Sequence, residues 1–199
     1  MRNEEPLHFF VSIPFGEILH PETIRYPFLN RHIHEASPWG DAHTTIGSFE
    51  SFMPIYTIEE TLRDVFSGIK VAPLLITIQG PGKYIPNRTQ VILFEKNGGK
   101  TLKHLRQRFY TSIKNFVPNK KDFYRKKDRL SPIFHIGIGK TMTPANLETV
   151  GNHLRGKSIS IHSLELEVRQ GKRIVKRTDI TLGTRERFIC TPDFACTTT

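Results

Sequence analysis

The sequence predicts an α+β fold in which two mainly antiparallel sheets form two similar lobes. Strand-like and helix-like segments interleave along the 199 residues, and several strands occur as consecutive pairs that suit hairpins. A short His-x-x-Ile-Gly motif also occurs twice, and such an internal repeat is what two similar lobes would produce. Hydrophobic residues make up 37% of the chain, which is enough to bury a sizeable core.

The first third of the chain contains two strands and a helix. Leu7–Phe15 is rich in apolar and aromatic residues, which predicts a buried strand. Gly16–Trp39 is interrupted by three prolines, so we expect it to be irregular, with at most a short helix. Ala42–Met53 is rich in β-branched residues and predicts a second strand. Thr57, with a Glu three residues later, indicates a capping box that begins a helix ending near Gly68. One face of that helix carries Ile58, Leu62, Val65 and Phe66.

The middle of the chain predicts a strand pair, a helix and a further strand. Pro73–Gln79 and Thr89–Glu95 are β-rich and flank a turn that contains Pro and Gly. Thr101–Phe116 is expected to be a helix with one apolar stripe and basic residues on its other faces. The stripe consists of Leu102, Leu105, Phe109 and Ile113, and the basic residues are Lys103, Arg106, Arg108 and Lys114. Val117–Ser131 is expected to be a basic loop, and Phe134–Thr141 a strand.

The last third predicts a helix and a hairpin. Thr143 and Pro144 suit the N-cap and the first position of a helix that extends to about Lys157. Ser158–Arg169 and Arg173–Leu182 are expected to pair around a Gln-Gly turn. Residues 1–185 are therefore interpreted as a single bilobal domain, and residues 186–199 as a C-terminal tail without a clear pattern.

Positive charge is concentrated in one segment. The chain has a net charge of +10, and Lys96–Arg129 alone holds twelve Lys and Arg against two Asp. Such a field attracts polyanions, although a solvated basic helix and loop would have the same composition. The residues best placed to bind RNA or a nucleotide phosphate are Lys120, Lys121, Arg125, Lys126 and Lys127. Tyr124, in the same predicted loop, could stack on a base.

Several protein classes are disfavoured. No apolar run approaches the ~20 residues that a membrane helix needs, and the N-terminus does not resemble a secretory signal. Cys190 and Cys196 provide neither a disulfide framework nor a Cys-x-x-Cys metal pair. We expect a cytoplasmic monomer that binds no metal and needs no cofactor.

The two motif histidines, His43 and His135, are the candidate catalytic residues. They are separated by 92 residues, and each is expected on a strand that is followed by a helix. If they face each other, one imidazole can accept a proton from water while the other protonates a leaving oxygen, because both forms of histidine exist near neutral pH. Thr45, on the same strand face as His43, and Lys140 could bind the phosphate.

This pattern resembles the 2H phosphoesterase superfamily, which includes the bacterial 2′-5′ RNA ligase-like proteins. The resemblance covers roughly Leu7–Leu182 and rests on His43-Thr44-Thr45-Ile46, on His135-Ile136-Gly137-Ile138-Gly139-Lys140 and on the closing hairpin. It implies a duplicated α+β scaffold around a central cleft, with helices outside. It also implies metal-independent chemistry at 2′,3′-cyclic phosphate ends of RNA or at 2′-5′ linkages.

One position departs from the pattern of that superfamily. Gly137 occupies the place of the second Thr or Ser, so one phosphate-binding hydroxyl is missing, and Lys140, Thr141 or a water molecule could replace it. Two alternatives therefore stay open. One is a phosphodiesterase for a signalling nucleotide, either a cyclic dinucleotide or a 2′-5′ oligoadenylate. The other is a non-catalytic RNA-binding module.

Overall fold

The computed structural model describes residues 5–28, 42–69, 73–84, 89–119, 134–137 and 143–183. Within these ranges the chain forms eight strands and four helices. In chain order they are β1 (Leu7–Pro14), α1 (Gly16–Arg25), β2 (His43–Ser51), α2 (Ile55–Ser67), β3 (Leu74–Tyr84), β4 (Thr89–Phe94), α3 (Lys96–Ile113), β5 (His135–Gly137), α4 (Pro144–Leu154), β6 (Ser158–Ile161), β7 (Ser163–Gln170) and β8 (Arg173–Thr181).

The strands form two four-stranded sheets in which every pair is antiparallel. The first sheet has the order β2-β1-β7-β8 and the second has the order β5-β4-β3-β6. The predicted α+β class with two antiparallel sheets is confirmed. The sheets are not consecutive halves of the chain, because the first sheet combines the two N-terminal strands with the last two described strands.

The predicted strand Ser158–Arg169 is wrong in one respect, because it is two strands in different sheets. β6 pairs with β3 in the second sheet, and β7 pairs with β1 in the first. The break falls at His162, where the buried positions change from odd numbers (Ile159, Ile161) to even numbers (Leu164, Leu166). This change of phase is what a chain produces when it leaves one sheet for another. The β7–β8 hairpin is confirmed.

Helix α2 buries three of the four apolar side chains predicted from its spacing, Ile58, Leu62 and Phe66, while Val65 is only partly buried. The predicted capping box does not form, because the helix begins at Ile55. The carbonyl oxygen of Pro54 accepts the hydrogen bond from the Thr57 amide at 3.1 Å, so Thr57 already lies inside the first turn.

Helix α3 also starts earlier than the predicted Thr101, since Lys96 is its first residue. A Cβ on Gly98 would lie 2.6 Å from Cγ2 of Ile76, so this glycine allows the helix to approach β3 closely rather than ending it. The predicted apolar stripe Leu102, Leu105, Phe109 and Ile113 is buried. The helix packs against β2 of one sheet and β3 of the other.

The segment expected to be irregular contains a ten-residue helix, α1, with Pro21 inside it. Its N-cap makes no side-chain hydrogen bond, so the sequence carries no start signal. Glu22 anchors the helix through His153 Nε2 at 2.9 Å and Lys157 Nζ at 2.7 Å, beside the end of α4. Burial would raise the pKa of the Glu22 carboxyl, but the hydrogen bonds and charges of these two partners lower it overall.

Two further boundaries differ from the sequence prediction. β3 continues to Tyr84 through residues expected to form a turn, because a bulge between Ile78 and Gly80, with Gly80 at φ 130°, carries the strand onward. Helix α4 ends at Leu154, three residues before the predicted end. Its start is confirmed, since the Asn146 amide donates to Thr143 Oγ1 at 3.2 Å.

Candidate active site

His43 is the first residue of β2 and lies opposite Pro14 of β1. Its ring meets Phe10 edge-on, with 5.3 Å between the ring centroids. Thr45 lies opposite Ser12, two residues along the same strand, so His43 and Thr45 share one sheet face as predicted from strand periodicity. Both side chains are partly exposed.

This face also carries a group of charged side chains that sequence reasoning missed. Glu165 and Glu167 of β7 and Arg177 of β8 line a small depression together with His43. Glu167 is only 3% exposed and pairs with Arg169 Nε at 2.5 Å and Arg177 Nη2 at 2.5 Å. Burial alone would raise the pKa of Glu167, but hydrogen bonds from the two guanidinium groups lower it. The carboxylate is therefore held ionised beside His43.

His135 is the first residue of β5 and lies opposite Leu93 of β4. Its side chain is partly buried, and the preceding residue, Phe134, is 4% exposed. Gly137 follows two residues later, opposite Val91. The second histidine thus occupies an edge strand of its sheet, as the first does.

The two edge strands are joined directly. Thr44 Oγ1 donates a 2.7 Å hydrogen bond to the backbone carbonyl oxygen of His135. Thr44 is covalently bonded to His43, so ordinary backbone dimensions place the Cα atoms of His43 and His135 within roughly 11 Å of each other. His43-Thr44 and His135, which begin the two motifs, therefore lie close together, although the two histidines are 92 residues apart in sequence.

A single guanidinium group, that of Arg106 in α3, contacts both β2 and Phe134, the residue that precedes β5. Its Nε and Nη2 donate to the carbonyl oxygens of Ile46 and Thr45, each at 2.9 Å. Its Cζ lies 4.0 Å from the centroid of the Phe134 ring. Sequence reasoning placed Arg106 on the basic face of the helix and did not anticipate this role.

The glycine of the first motif has a packing role. A Cβ on Gly47 would lie 2.3 Å from Cε1 of Phe109, so any larger residue would collide with the α3 core stripe. The hydroxyl of Tyr110 is also close, 3.1 Å from the same position. Burial raises the pKa of Tyr110 to about 12, although the charge of Arg106 and a backbone hydrogen bond from Ser48 oppose the shift. The phenol is therefore neutral near pH 7.

The remaining predicted site residues lie outside the described residues. These are Lys140, Thr141, Lys120, Lys121, Tyr124, Arg125, Lys126 and Lys127, and the tail 186–199 does so as well. In the part of the chain that the structure describes, no three His, Cys, Asp or Glu side chains are grouped as a metal ion would require. No helix among the described residues is long and apolar enough to cross a membrane.

The architecture matches solved structures. Escherichia coli LigT in its apo form aligns with a TM-score of 0.54 over 91% of this chain and 99% of its own, at 12% identity. The chain has the LigT fold. TT0787 of Thermus thermophilus shares the LigT fold, with a TM-score of 0.51 over 87% of this chain and 97% of its own, at 13% identity.

A third similar structure is E. coli LigT complexed with 3′-AMP, with a TM-score of 0.50 over 89% of this chain and 99% of its own, at 14% identity. No protein-family model and no curated protein matches the sequence. LigT is a 2H phosphoesterase superfamily protein, so the resemblance expected from the two motifs is confirmed at the level of the LigT fold.

Proposed function

We propose that this protein is a phosphodiesterase that uses His43 and His135 as general acid and base, without a metal ion. Its proposed substrates are 2′,3′-cyclic phosphate ends of RNA or 2′-5′-linked nucleotides. The observation that carries the proposal is the hydrogen bond from Thr44 to His135, because it brings the two histidine motifs together. The LigT fold supports the same reading.

Two imidazoles are sufficient for both proton transfers of the reaction. In hydrolysis of a 2′,3′-cyclic phosphate, the oxygen of water forms a new bond to phosphorus, and one phosphorus–oxygen bond to the ribose breaks. One imidazole accepts the proton from water, and the other donates a proton to the departing ribose oxygen. The product is a phosphomonoester, and the overall change is the addition of one water molecule.

The phosphate would be held by hydroxyl and ammonium groups near the histidines. Thr45 shares its sheet face with His43, so its hydroxyl can donate to a non-bridging oxygen. Lys140 and Thr141 are proposed as the corresponding groups beside His135. A nucleoside phosphate as ligand is supported by the fold match to LigT complexed with 3′-AMP.

The basic segment Lys96–Arg129 supports RNA as the larger substrate. Lys103 and Arg108 are exposed on α3, and the six proposed RNA-binding residues follow along the chain. Neutralising several phosphates releases counterions, so binding of a long strand should weaken steeply as salt is raised. A mononucleotide substrate would show a much shallower salt dependence.

The decisive test is an assay in chelator against a panel of phosphodiesters. The panel contains 2′,3′-cyclic nucleotides, 2′-5′ and 3′-5′ dinucleotides, 2′-5′ oligoadenylate and cyclic dinucleotides. We expect turnover of a 2′,3′-cyclic nucleotide or a 2′-5′ dinucleotide, and a loss of ~10²-fold or more in His43→Ala and in His135→Ala. His104→Ala is the matched control, because His104 is exposed on α3 and should keep full activity.

The outcomes separate the alternatives. Full activity in both histidine variants would exclude the proposed mechanism. Turnover restricted to cyclic dinucleotides or 2′-5′ oligoadenylate would indicate a signalling role. Tight RNA binding without turnover of any substrate would identify a binding module, which is the reading that Gly137 keeps open.

A further inference from the structure

Arg106 contacts the residues that flank both histidines. It binds the backbone of β2 after His43 and the side chain of Phe134, which precedes His135. On the β2 side, its guanidinium binds the carbonyl oxygens of Thr45 and Ile46, two and three residues after His43. On the β5 side, it stacks on Phe134, the residue immediately before His135. One side chain of a third element, helix α3, therefore reaches β2 and the residue next to His135.

The two carbonyl acceptors lie at a bulge in β2. Ser12 of β1 lies opposite Thr45, while Val11 lies opposite Gly47, so Ile46 has no counterpart in β1. A bulge disrupts the ladder locally and leaves backbone groups that need other partners. The guanidinium supplies two parallel N–H groups at this point, both at 2.9 Å.

The base of the Arg106 side chain is held rigidly. Its neighbours on α3, Leu105 and Phe109, are at most 3% exposed and belong to the main core. Phe109 also packs on Gly47, so the helix cannot shift along β2 without a collision. Arg106 therefore connects a helix that is packed into the core with β2 and with Phe134.

The chemistry of this contact requires arginine. The guanidinium is planar, offers a rigid fork of N–H donors and can stack on an aromatic ring at the same time. A lysine ammonium would keep the charge, but it could not bind both carbonyl groups and lie flat on Phe134.

We propose that Arg106 is a positioning residue that sets the spacing of His43 and His135 and does not itself bind substrate. This inference rests on the proposed function. Two groups that must act on one phosphate need an accurate separation, and a displacement of ~1 Å can cost ~10²-fold in rate. Loss of Arg106 should therefore lower kcat much more than it raises KM.

The kinetic test compares Arg106→Ala and Arg106→Lys with Gln107→Ala, using the substrate on which the wild type is active. We expect kcat to fall ~10²-fold in Arg106→Ala, with KM within about threefold of the wild type. Arg106→Lys should be intermediate, and Gln107→Ala, an exposed and uncharged change on the same helix, should match the wild type. A KM increase with unchanged kcat would mean that Arg106 binds substrate, and unchanged kinetics would mean that it has no role, so either result overturns the proposal.

Chemical rescue separates positioning from general folding support. Guanidinium chloride at low millimolar concentration should raise the kcat of Arg106→Ala at least tenfold, because the ion can occupy the position between the two carbonyl groups and Phe134. Sodium chloride at the same concentration should restore nothing. Equal effects of the two salts, or no rescue, would overturn the proposal. If Arg106→Ala does not fold, the kinetic comparison rests on Arg106→Lys.

A measurement without substrate keeps this inference distinct from the proposed function. Imidazole NMR signals of His43 and His135 should both shift in Arg106→Lys, whereas those of the exposed His104 and His162 should stay in place. Unmoved His43 and His135 signals would overturn the positioning role even if the protein proved to be an active phosphodiesterase. A wild type that cleaves nothing, with both signals shifted in the variant, would overturn the function alone.

Discussion

The Thr44 side chain of the first motif holds the backbone of His135 in the second, through a 2.7 Å hydrogen bond from its hydroxyl to the carbonyl oxygen. Thr44 lies between His43 and Thr45, but it points to the opposite face of β2 and is 1% exposed. The motif therefore has two functions at successive positions. His43 and Thr45 lie on the face of β2 that carries the candidate site. Thr44 lies on the opposite face and forms a hydrogen bond between the two sheets.

Removing the Thr44 hydroxyl should weaken the contact between β2 and β5 and lower the free energy of unfolding. Thr44→Val has nearly the same shape but leaves the His135 carbonyl without this donor, so we expect the free energy of unfolding to fall by about 0.5–1.5 kcal/mol. Urea titration followed by circular dichroism measures the change. Thr44→Ser retains the hydroxyl and should recover most of the loss, whereas equal stability of Val and wild type would show that the bond contributes nothing.

Enlarging Gly47 should disturb the packing of α3 on β2. The added Cβ of Gly47→Ala would lie 2.3 Å from the Phe109 ring, so we expect destabilisation by about 1–3 kcal/mol. Gly99→Ala is the matched control, because nothing lies within 4 Å of the added Cβ and alanine favours the helix. Thermal unfolding of both variants tests the difference, and a Gly47→Ala protein as stable as the control would contradict the close packing.

The buried carboxylate of Glu167 should make stability depend on pH. Its pKa is lowered in the folded protein, so its stabilising effect is complete above the ordinary value of 4.5 and is lost as the pH falls through the lowered pKa. Glu167→Gln removes the charge that Arg169 and Arg177 bind, and should cost about 1.5–3 kcal/mol near pH 7. The difference in the free energy of unfolding between Glu167→Gln and the wild type should become smaller below pH 4.5.

Unfolding curves at a series of pH values measure this dependence. Glu165→Gln is a useful comparison, because Glu165 lies further from the guanidinium group, with 3.7 Å between its Oε1 and Arg177 Nε, and should have a smaller effect. If the free energies of unfolding of Glu167→Gln and the wild type differ by the same amount from neutral to acid pH, the charge of Glu167 is not what stabilises the fold.

The glycine that departs from the superfamily pattern can be tested directly. Gly137→Ser supplies a hydroxyl two residues after His135, on the same strand face. If the phosphate binds there, one added hydrogen bond worth about 0.5–1.5 kcal/mol should lower KM by roughly 2–12-fold. Steady-state kinetics provides the measurement, with Gly137→Ala as the control for bulk alone. A KM that rises equally in both variants would place the phosphate elsewhere.

Local patterns predicted much of the fold. The apolar spacing of α2 and α3 identified the buried side chains Ile58, Leu62, Leu102 and Phe109, because helical periodicity reflects which face meets the core. The paired strands and the Thr143 N-cap were also predicted, and the two histidine motifs led to the LigT fold. These features depend on residues that are close in sequence.

The features that were missed depend on residues that are distant in sequence. Glu167 and Arg177 could be placed on one strand pair, but their position beside His43 follows from the pairing of β7 with β1. Arg106 resembled the other basic residues of its helix, because its acceptors are backbone atoms of β2. The early start of α3 was hidden because glycine normally disfavours helices, and the contact of Gly98 with Ile76 is a tertiary effect.

The strand order of the first sheet has a consequence for biogenesis. Phe10 of β1 lies opposite Glu167 of β7, at a sequence separation of 157 residues, whereas the partners within the second sheet all lie between residues 74 and 161. Long-range pairings form slowly, since the entropy of closing a large loop must be overcome before any contact repays it. During synthesis on the ribosome the second sheet can assemble before the first is complete, and β1 can pair with β2, but the pairing of β1 with β7 must wait until β7 emerges. The depression beside His43, which residues of β7 and β8 also line, is therefore completed only after nearly all of the described strands are made.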